Sequence, residues 1–92
     1  MYPVRPSSWF YTYVLLSEKD RTFYTGTTNN LRKRLKEHNE GLVLSTKSKR
    51  PYKLIYAECC LNKSNAFRRE RYLKTGMGKR YLRNRLKEGL TG

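Results

Sequence analysis

The stretch WFYTYVLL-SEKDR-TFYTGT, residues 9–27, decides the fold. Trp9 to Leu16 is rich in aromatic and branched side chains, the composition of a strand. Its apolar residues fall on both alternating faces, so this strand belongs in the middle of a sheet, covered on both sides. Ser17 to Arg21 is polar and reads as a turn, and Thr22 to Thr27 reads as the returning strand. A four-residue loop at 17–20 sets Leu16 opposite Arg21 and Tyr13 opposite Tyr24. Opposed residues share a sheet face, with Cβ atoms roughly 4.5–5.5 Å apart. A slip of one residue puts the two tyrosines on opposite faces.

Downstream, Thr28-Asn-Asn30 offers helix caps. Leu31, Leu35 and His38 then follow at i, i+4 and i+7, which is one helical face. Asn39 or Gly41 ends that helix. Residues 42–51 form a loop carrying Lys47, Lys49 and Arg50. Tyr52 to Cys60 reads as a third strand. Ser64 is a cap for a second helix over about 65–74, with Ala66, Glu70 and Leu73 on one face. Gly76 and Gly78 break it, and 79–86 forms a third helix. The order is β-β-α-β-α-α, a small α/β fold with helices covering a sheet that is at least partly antiparallel. Residues 1–8, with Pro3 and Pro6, read as a short arm, 9–88 as the domain, and 89–92 as a tail.

The chain has 92 residues, enough for one small domain with a modest core. It carries 21 Lys+Arg against 7 Asp+Glu, a formal net charge of +14. That excess predicts a polyanionic partner, nucleic acid first. Eight tyrosines, three phenylalanines and one tryptophan supply the core and argue against disorder. Cys59 and Cys60 are adjacent and have no other cysteine to pair with, so a reducing compartment is expected. His38 is the single histidine, which excludes a Cys/His zinc spacing. Nothing in the sequence is long and apolar enough to span a membrane, and the first residues lack a signal core. The cytoplasm is the expected compartment.

Tyr13, Tyr24, Arg34, His38 and Glu70 form a candidate constellation. The hairpin brings the tyrosines to one face and leads through Gly26 to a helix start, where backbone N–H groups favour phosphate. Glu70 is a carboxylate on an otherwise apolar helical stripe, expensive unless paired or bound to a metal. A hard cation with oxygen ligands, an arginine for developing phosphoryl charge and a tyrosine as general base are parts for phosphodiester hydrolysis. Each residue has a plainer alternative. The tyrosines pack, His38 is a surface or capping residue, Arg34 joins the basic face, and Glu70 pairs with Arg69, Arg71 or Lys74. Together those alternatives describe a non-catalytic basic nucleic-acid-binding module. Lys47, Lys49 and Arg50 are the expected phosphate contacts in either case.

In segments 11–13 (YTY), 24–26 (YTG), 30–38 (NLRKRLKEH) and 69–70 (RE), the sequence resembles the GIY-YIG nuclease family. Further matching text is 38–41 (HNEG), 45–47 (STK), 50–51 (RP) and 70–74 (ERYLK). The likeness covers residues 9–88 and is strongest to the small stand-alone bacterial members. It implies a three-stranded antiparallel sheet flanked by helices and a metal-dependent endonuclease acting on DNA. It further implies one divalent metal, Mg²⁺ or Mn²⁺, held at Glu70, with Tyr13 or Tyr24 as the base and the other assisting. Arg34 would stabilise the phosphoryl transition state, and His38 would orient water or Tyr13. Asn84 matches a late family asparagine. Thr12 and Thr25 stand where the family name has isoleucine, and Tyr11 stands where it has glycine; the two motif tyrosines and Gly26 remain.

Overall fold

A computed structural model of the chain describes residues 9–90. Strand β1 is Phe10–Ser17, β2 is Phe23–Thr28 and β3 is Tyr52–Cys60. Helix α1 is Leu31–Asn39, α2 is Lys63–Leu73 and α3 is Gly76–Leu90, and a short 3-10 segment covers Leu44–Lys49. The sheet is antiparallel with spatial order β2-β1-β3, so the 9–16 stretch does occupy the centre. Every residue from Thr12 to Ser17 is buried, as a strand flanked on both faces requires. The expected arm at 1–8 lies outside the described residues. Of the expected tail, residues 91–92 do too, and α3 continues through the first part of it.

Alternation along β1 divides the core in two. Tyr13 and Leu15 point to one face and, with Tyr52, pack against Tyr24, Leu31 and Leu35. Val14 points to the other face and meets Leu73 of α2 and Leu82 of α3, bordered by Phe23, Ile55, Tyr56, Tyr81 and Leu86. Leu73 and Leu82 are fully buried, each contributing about 1.5–3 kcal/mol of transfer free energy. Thr12, on the α2 face, donates its hydroxyl to the Ala66 carbonyl at 2.9 Å.

Hairpin β1–β2 departs from the expected register by two residues. Tyr13 pairs with Gly26, and Tyr24 pairs with Leu15. The loop is 18–21 rather than 17–20, because Ser17 remains in the strand. Its buried hydroxyl donates to the Lys49 carbonyl at 2.7 Å and accepts from the Lys19 and Asp20 backbone N–H groups. Ser17 N–H closes onto the Thr22 carbonyl at 2.8 Å, and Arg21 takes a left-handed φ of 64°. A two-residue shift preserves the face. The tyrosines are therefore diagonal neighbours rather than opposed, with ring centroids 6.3 Å apart.

Two helix boundaries also differ. Asn62, not Ser64, caps α2, its side chain accepting from Asn65 N–H at 3.0 Å. An aspartyl-type amide two residues earlier gives the same cap with two more residues in the helix. Gly76 and Gly78 do not stand outside a helix, for α3 begins on them. A Cβ on Gly78 would collide with the Tyr72 carbonyl and the Leu73 Cα. This glycine lets the first turn of α3 press onto the end of α2.

Candidate active site

The β1–β2 face, α1 and the 44–49 segment enclose a cluster of four of the expected residues. Asn30 starts α1, its side chain accepting from Lys33 N–H at 3.1 Å. From that start, the i, i+4, i+7 spacing delivers Leu31, Leu35 and His38 to the sheet. His38 is fully buried. Its Nε2 lies 2.9 Å from the Tyr13 hydroxyl, and its Nδ1 lies 2.8 Å from Thr46 Oγ1. The edge of the Tyr24 ring meets the imidazole at a centroid distance of 4.8 Å, and the Tyr52 ring closes the other side at 6.1 Å. Gly26 leaves room for this arrangement, since a Cβ there would stand 2.5 Å from the Tyr13 hydroxyl oxygen.

Burial sets the electrostatics. It pushes the Tyr13 hydroxyl up to about 12, although the nearby Arg34 guanidinium pulls the other way. It pulls the His38 imidazole down to about 4, with the Arg34 charge adding and Glu37 opposing. The Arg34 guanidinium is raised, first by its hydrogen bond to Tyr13. Arg34 is also held by Glu37 at 3.1 Å and keeps 36% of its side chain exposed. One cation is thus tethered at the mouth of a dry tyrosine–histidine pair, able to meet an anion from solvent.

Glu70 borders this cluster from the far side of β2 without joining it by contact. It lies on α2, which packs on the opposite face of the sheet, and it reaches the edge strand β2. Its Oε1 accepts from Thr27 Oγ1 at 2.5 Å and its Oε2 from Lys74 Nζ at 2.7 Å. Its side chain is 17% exposed. The carboxylate on the apolar stripe is therefore paired, and the partner is Lys74 rather than Arg69 or Arg71. Arg69 instead binds Glu58 and stacks on the Tyr72 and Tyr81 rings. The negative charge of Glu70 still reaches Tyr13 across β2. Asn84 is exposed on α3, whose packing face is the one opposite the tyrosine–histidine cluster.

Lys47 and Lys49 are exposed on the 3-10 segment, and Arg50 follows half-buried. Lys49 Nζ lies 3.5 Å from Asp20, and Arg50 Nε donates to the Lys47 carbonyl at 2.9 Å. With Lys19, Lys47 and Arg50 line a shallow pocket floored by Asn39 and Pro51. The segment that presents these cations also carries Thr46, which ties it directly to His38.

Sequence reasoning missed Thr27 and Thr46. Thr27 was legible in part, since strand alternation sets it on the face opposite Tyr24, toward α2. Thr46 lay inside matching text, but no spacing rule connects a loop threonine to a helix histidine.

The GIY-YIG catalytic domain model matches residues 9–88. The chain belongs to the GIY-YIG family. Among its relatives, a UPF0213 protein of Bacillus licheniformis is 41% identical over 88 residues, covering 91% of this chain and 88% of that one. A UPF0213 protein of Clostridium perfringens is 48% identical over 65 residues, 70% of this chain and 69% of that one. The solution NMR structure of a UPF0213 protein from Bacillus halodurans shares the fold at a TM-score of 0.50 and 30% identity, covering 80% of this chain and 81% of that one. No helix among the described residues of this GIY-YIG domain is long and apolar enough to cross a membrane.

Proposed function

We propose that this GIY-YIG domain is an endonuclease that hydrolyses phosphodiester bonds in DNA with a divalent metal, Mg²⁺ or Mn²⁺, at Glu70. The observation that carries the proposal is the Tyr13 hydroxyl, 2.9 Å from His38 Nε2 and close enough to the Arg34 guanidinium to feel its charge. A tyrosine needs such company to move a proton. The arginine favours its ionised form, and the neutral imidazole accepts the proton it carries.

Among the described residues no group of three or more His, Cys, Asp or Glu side chains converges. Glu70 would then be the sole carboxylate ligand, with phosphate and water completing the shell, as a hard cation that keeps its waters allows. The donor chemistry fits. The carboxylate already attracts one cation, Lys74, whose side chain is half-exposed at the surface. When bound, the metal polarises the phosphate and stabilises the leaving oxygen.

The remaining roles belong to the chain itself. Arg34 meets the phosphoryl oxygens as their charge grows. Tyr13 takes the proton of the attacking water, because its own hydroxyl has the His38 imidazole as a partner at 2.9 Å. Tyr24 packs edge-on to His38 and holds the pair together. Lys47, Lys49 and Arg50 receive the flanking phosphates. Free Cys59 and Cys60 suit the reducing, cytoplasmic setting of such an enzyme.

The test is cleavage of supercoiled, linear, single-stranded and branched DNA with Mg²⁺ or Mn²⁺ and an EDTA control. Wild type cuts, while Glu70→Ala binds DNA but does not cut. Full activity of Glu70→Ala would refute the metal assignment. Binding without any cutting would leave the second reading, a basic nucleic-acid-binding module resting on the net charge of +14.

A further inference from the structure

His38 is the only histidine of the chain, and both of its ring nitrogens are engaged. A neutral imidazole has one N–H and one bare nitrogen, so its two neighbours select the tautomer. Thr46 Oγ1, 2.8 Å from Nδ1, also donates to the Val43 carbonyl at 3.2 Å. With its hydrogen there, the hydroxyl offers His38 only lone pairs, and Nδ1 must carry the N–H. The Tyr13 side is compatible with that tautomer. The Arg34 guanidinium, which can only donate, lies close enough to the Tyr13 hydroxyl to favour its ionised form. With Nδ1 protonated, Tyr13 directs its own hydrogen to a bare Nε2 at 2.9 Å. Thr46 is itself fully buried, so water does not compete for this contact.

We propose that Thr46 is a positioning residue that holds His38 in the Nδ1–H tautomer and so keeps Nε2 as the acceptor for the Tyr13 proton. Its catalytic consequence rests on the nuclease reading given above. The attacking water yields a proton to the Tyr13 oxygen as the Tyr13 hydroxyl proton passes to Nε2. The water oxygen forms its bond to phosphorus, and the scissile P–O bond breaks with its electron pair on the leaving oxygen. His38 ends as imidazolium and, after the break, returns its proton through Tyr13 to solvent water, while the leaving oxygen takes a proton from solvent. Throughout, Thr46 accepts from the same Nδ1–H, so nothing in the buried shell rearranges. In the opposite tautomer Nε2–H points at Tyr13 and the path is closed.

The groups facing the ring are Tyr13 from β1, Tyr24 from β2, Tyr52 from β3, Arg34 and Glu37 from α1, and Thr46. Arg34 is the cation among them that opposes an imidazolium, and a substrate phosphate against Arg34 offsets that opposition. The relay is therefore favoured when substrate is in place.

With a single histidine, the imidazole nitrogen spectrum at neutral pH reads the tautomer without assignment ambiguity. Wild type and Thr46→Ser should show a protonated Nδ1 and a bare Nε2. Thr46→Val, which keeps the shape and removes the hydroxyl, should move the proton toward Nε2. The same variant should slow cleavage by ~10- to 100-fold, part of the ~100- to 10,000-fold that a positioned acid–base group supplies, and Thr46→Ser should restore most of the rate. A wild-type spectrum with the proton on Nε2 overturns the proposal. So does a Thr46→Val protein that cuts at the wild-type rate. Should the valine variant not fold, the wild-type and serine spectra decide. A wild-type protein that cuts no DNA refutes the nuclease reading instead, and its spectrum still decides whether Thr46 holds the tautomer.

Discussion

Replacing Gly26 by alanine tests the packing that brings the site together. An added Cβ would stand 2.5 Å from the Tyr13 hydroxyl oxygen, 2.7 Å from Cζ and 3.1 Å from Cε1. Ordinary carbon contacts sit at roughly 3.5–4.0 Å, so the end of the ring must retreat by about 1 Å. It has nowhere to go, for Tyr13 is 2% exposed and is bonded to a fully buried His38. Overpacking of this kind costs about 1–3 kcal/mol. In a domain of this size each kcal/mol lowers Tm by about 4–8 °C, so the variant should melt roughly 4–24 °C below wild type. The comparison variant is Gly76→Ala, whose Cβ meets nothing within 4 Å and should melt at or slightly above wild type. Circular dichroism melts of the three proteins at equal concentration provide the measurement. If the displaced ring breaks its bond to Nε2, the His38 nitrogen spectrum changes as well. Coincident melting of Gly26→Ala and wild type, with an unaltered His38 spectrum, would refute the close contact of Tyr13 and Gly26.

Acid should weaken the fold in a window set by His38. Its folded-state value of about 4 lies below its ordinary 6.5, so the unfolded chain takes up the proton first and stability falls as pH drops from 6.5 to 4. The loss is on the order of 3 kcal/mol. Urea midpoints measured at pH 7 and pH 4.5 check it, and His38→Gln should flatten the window. Asp20, held down to about 2 first by Thr22, titrates below that range. Replacing Lys47, Lys49 and Arg50 together by alanine should weaken DNA binding and flatten its salt dependence. Each lost phosphate contact removes ~0.9 from the slope of log K against log salt on duplex DNA. An unchanged slope in titrations across salt concentrations rejects that surface as the binding face.

The chain's local chemistry was enough to place all three strands, put β1 at the centre and set the inward face of α1. Those features rest on alternation, the 3.6-residue period and side-chain shape, each carried by residues adjacent in sequence. The tyrosine pair on one face was equally legible, because face parity survives a register shift of two. The register itself was not. A buried Ser17, hydrogen-bonded to Lys49 more than thirty residues away, keeps the strand going and moves the loop by one position. Gly78 reads locally as a breaker, yet it is where two helices touch, a contact no neighbouring residue announces. Glu70 shows the division most clearly. Its odd place on an apolar stripe signalled a partnered carboxylate, and Lys74 at i+4 was among the local candidates, but Thr27 came from packing α2 against β2. For His38 the sequence supplied the imidazole and the helical face that buries it. The proton on its ring, and with it the direction in which Tyr13 donates, depends on Thr46 and Tyr13 closing on it from two different elements. Hydrogen bonds between distant segments exist only once the backbone has brought their donors and acceptors within about 3 Å, and that step belongs to the tertiary structure.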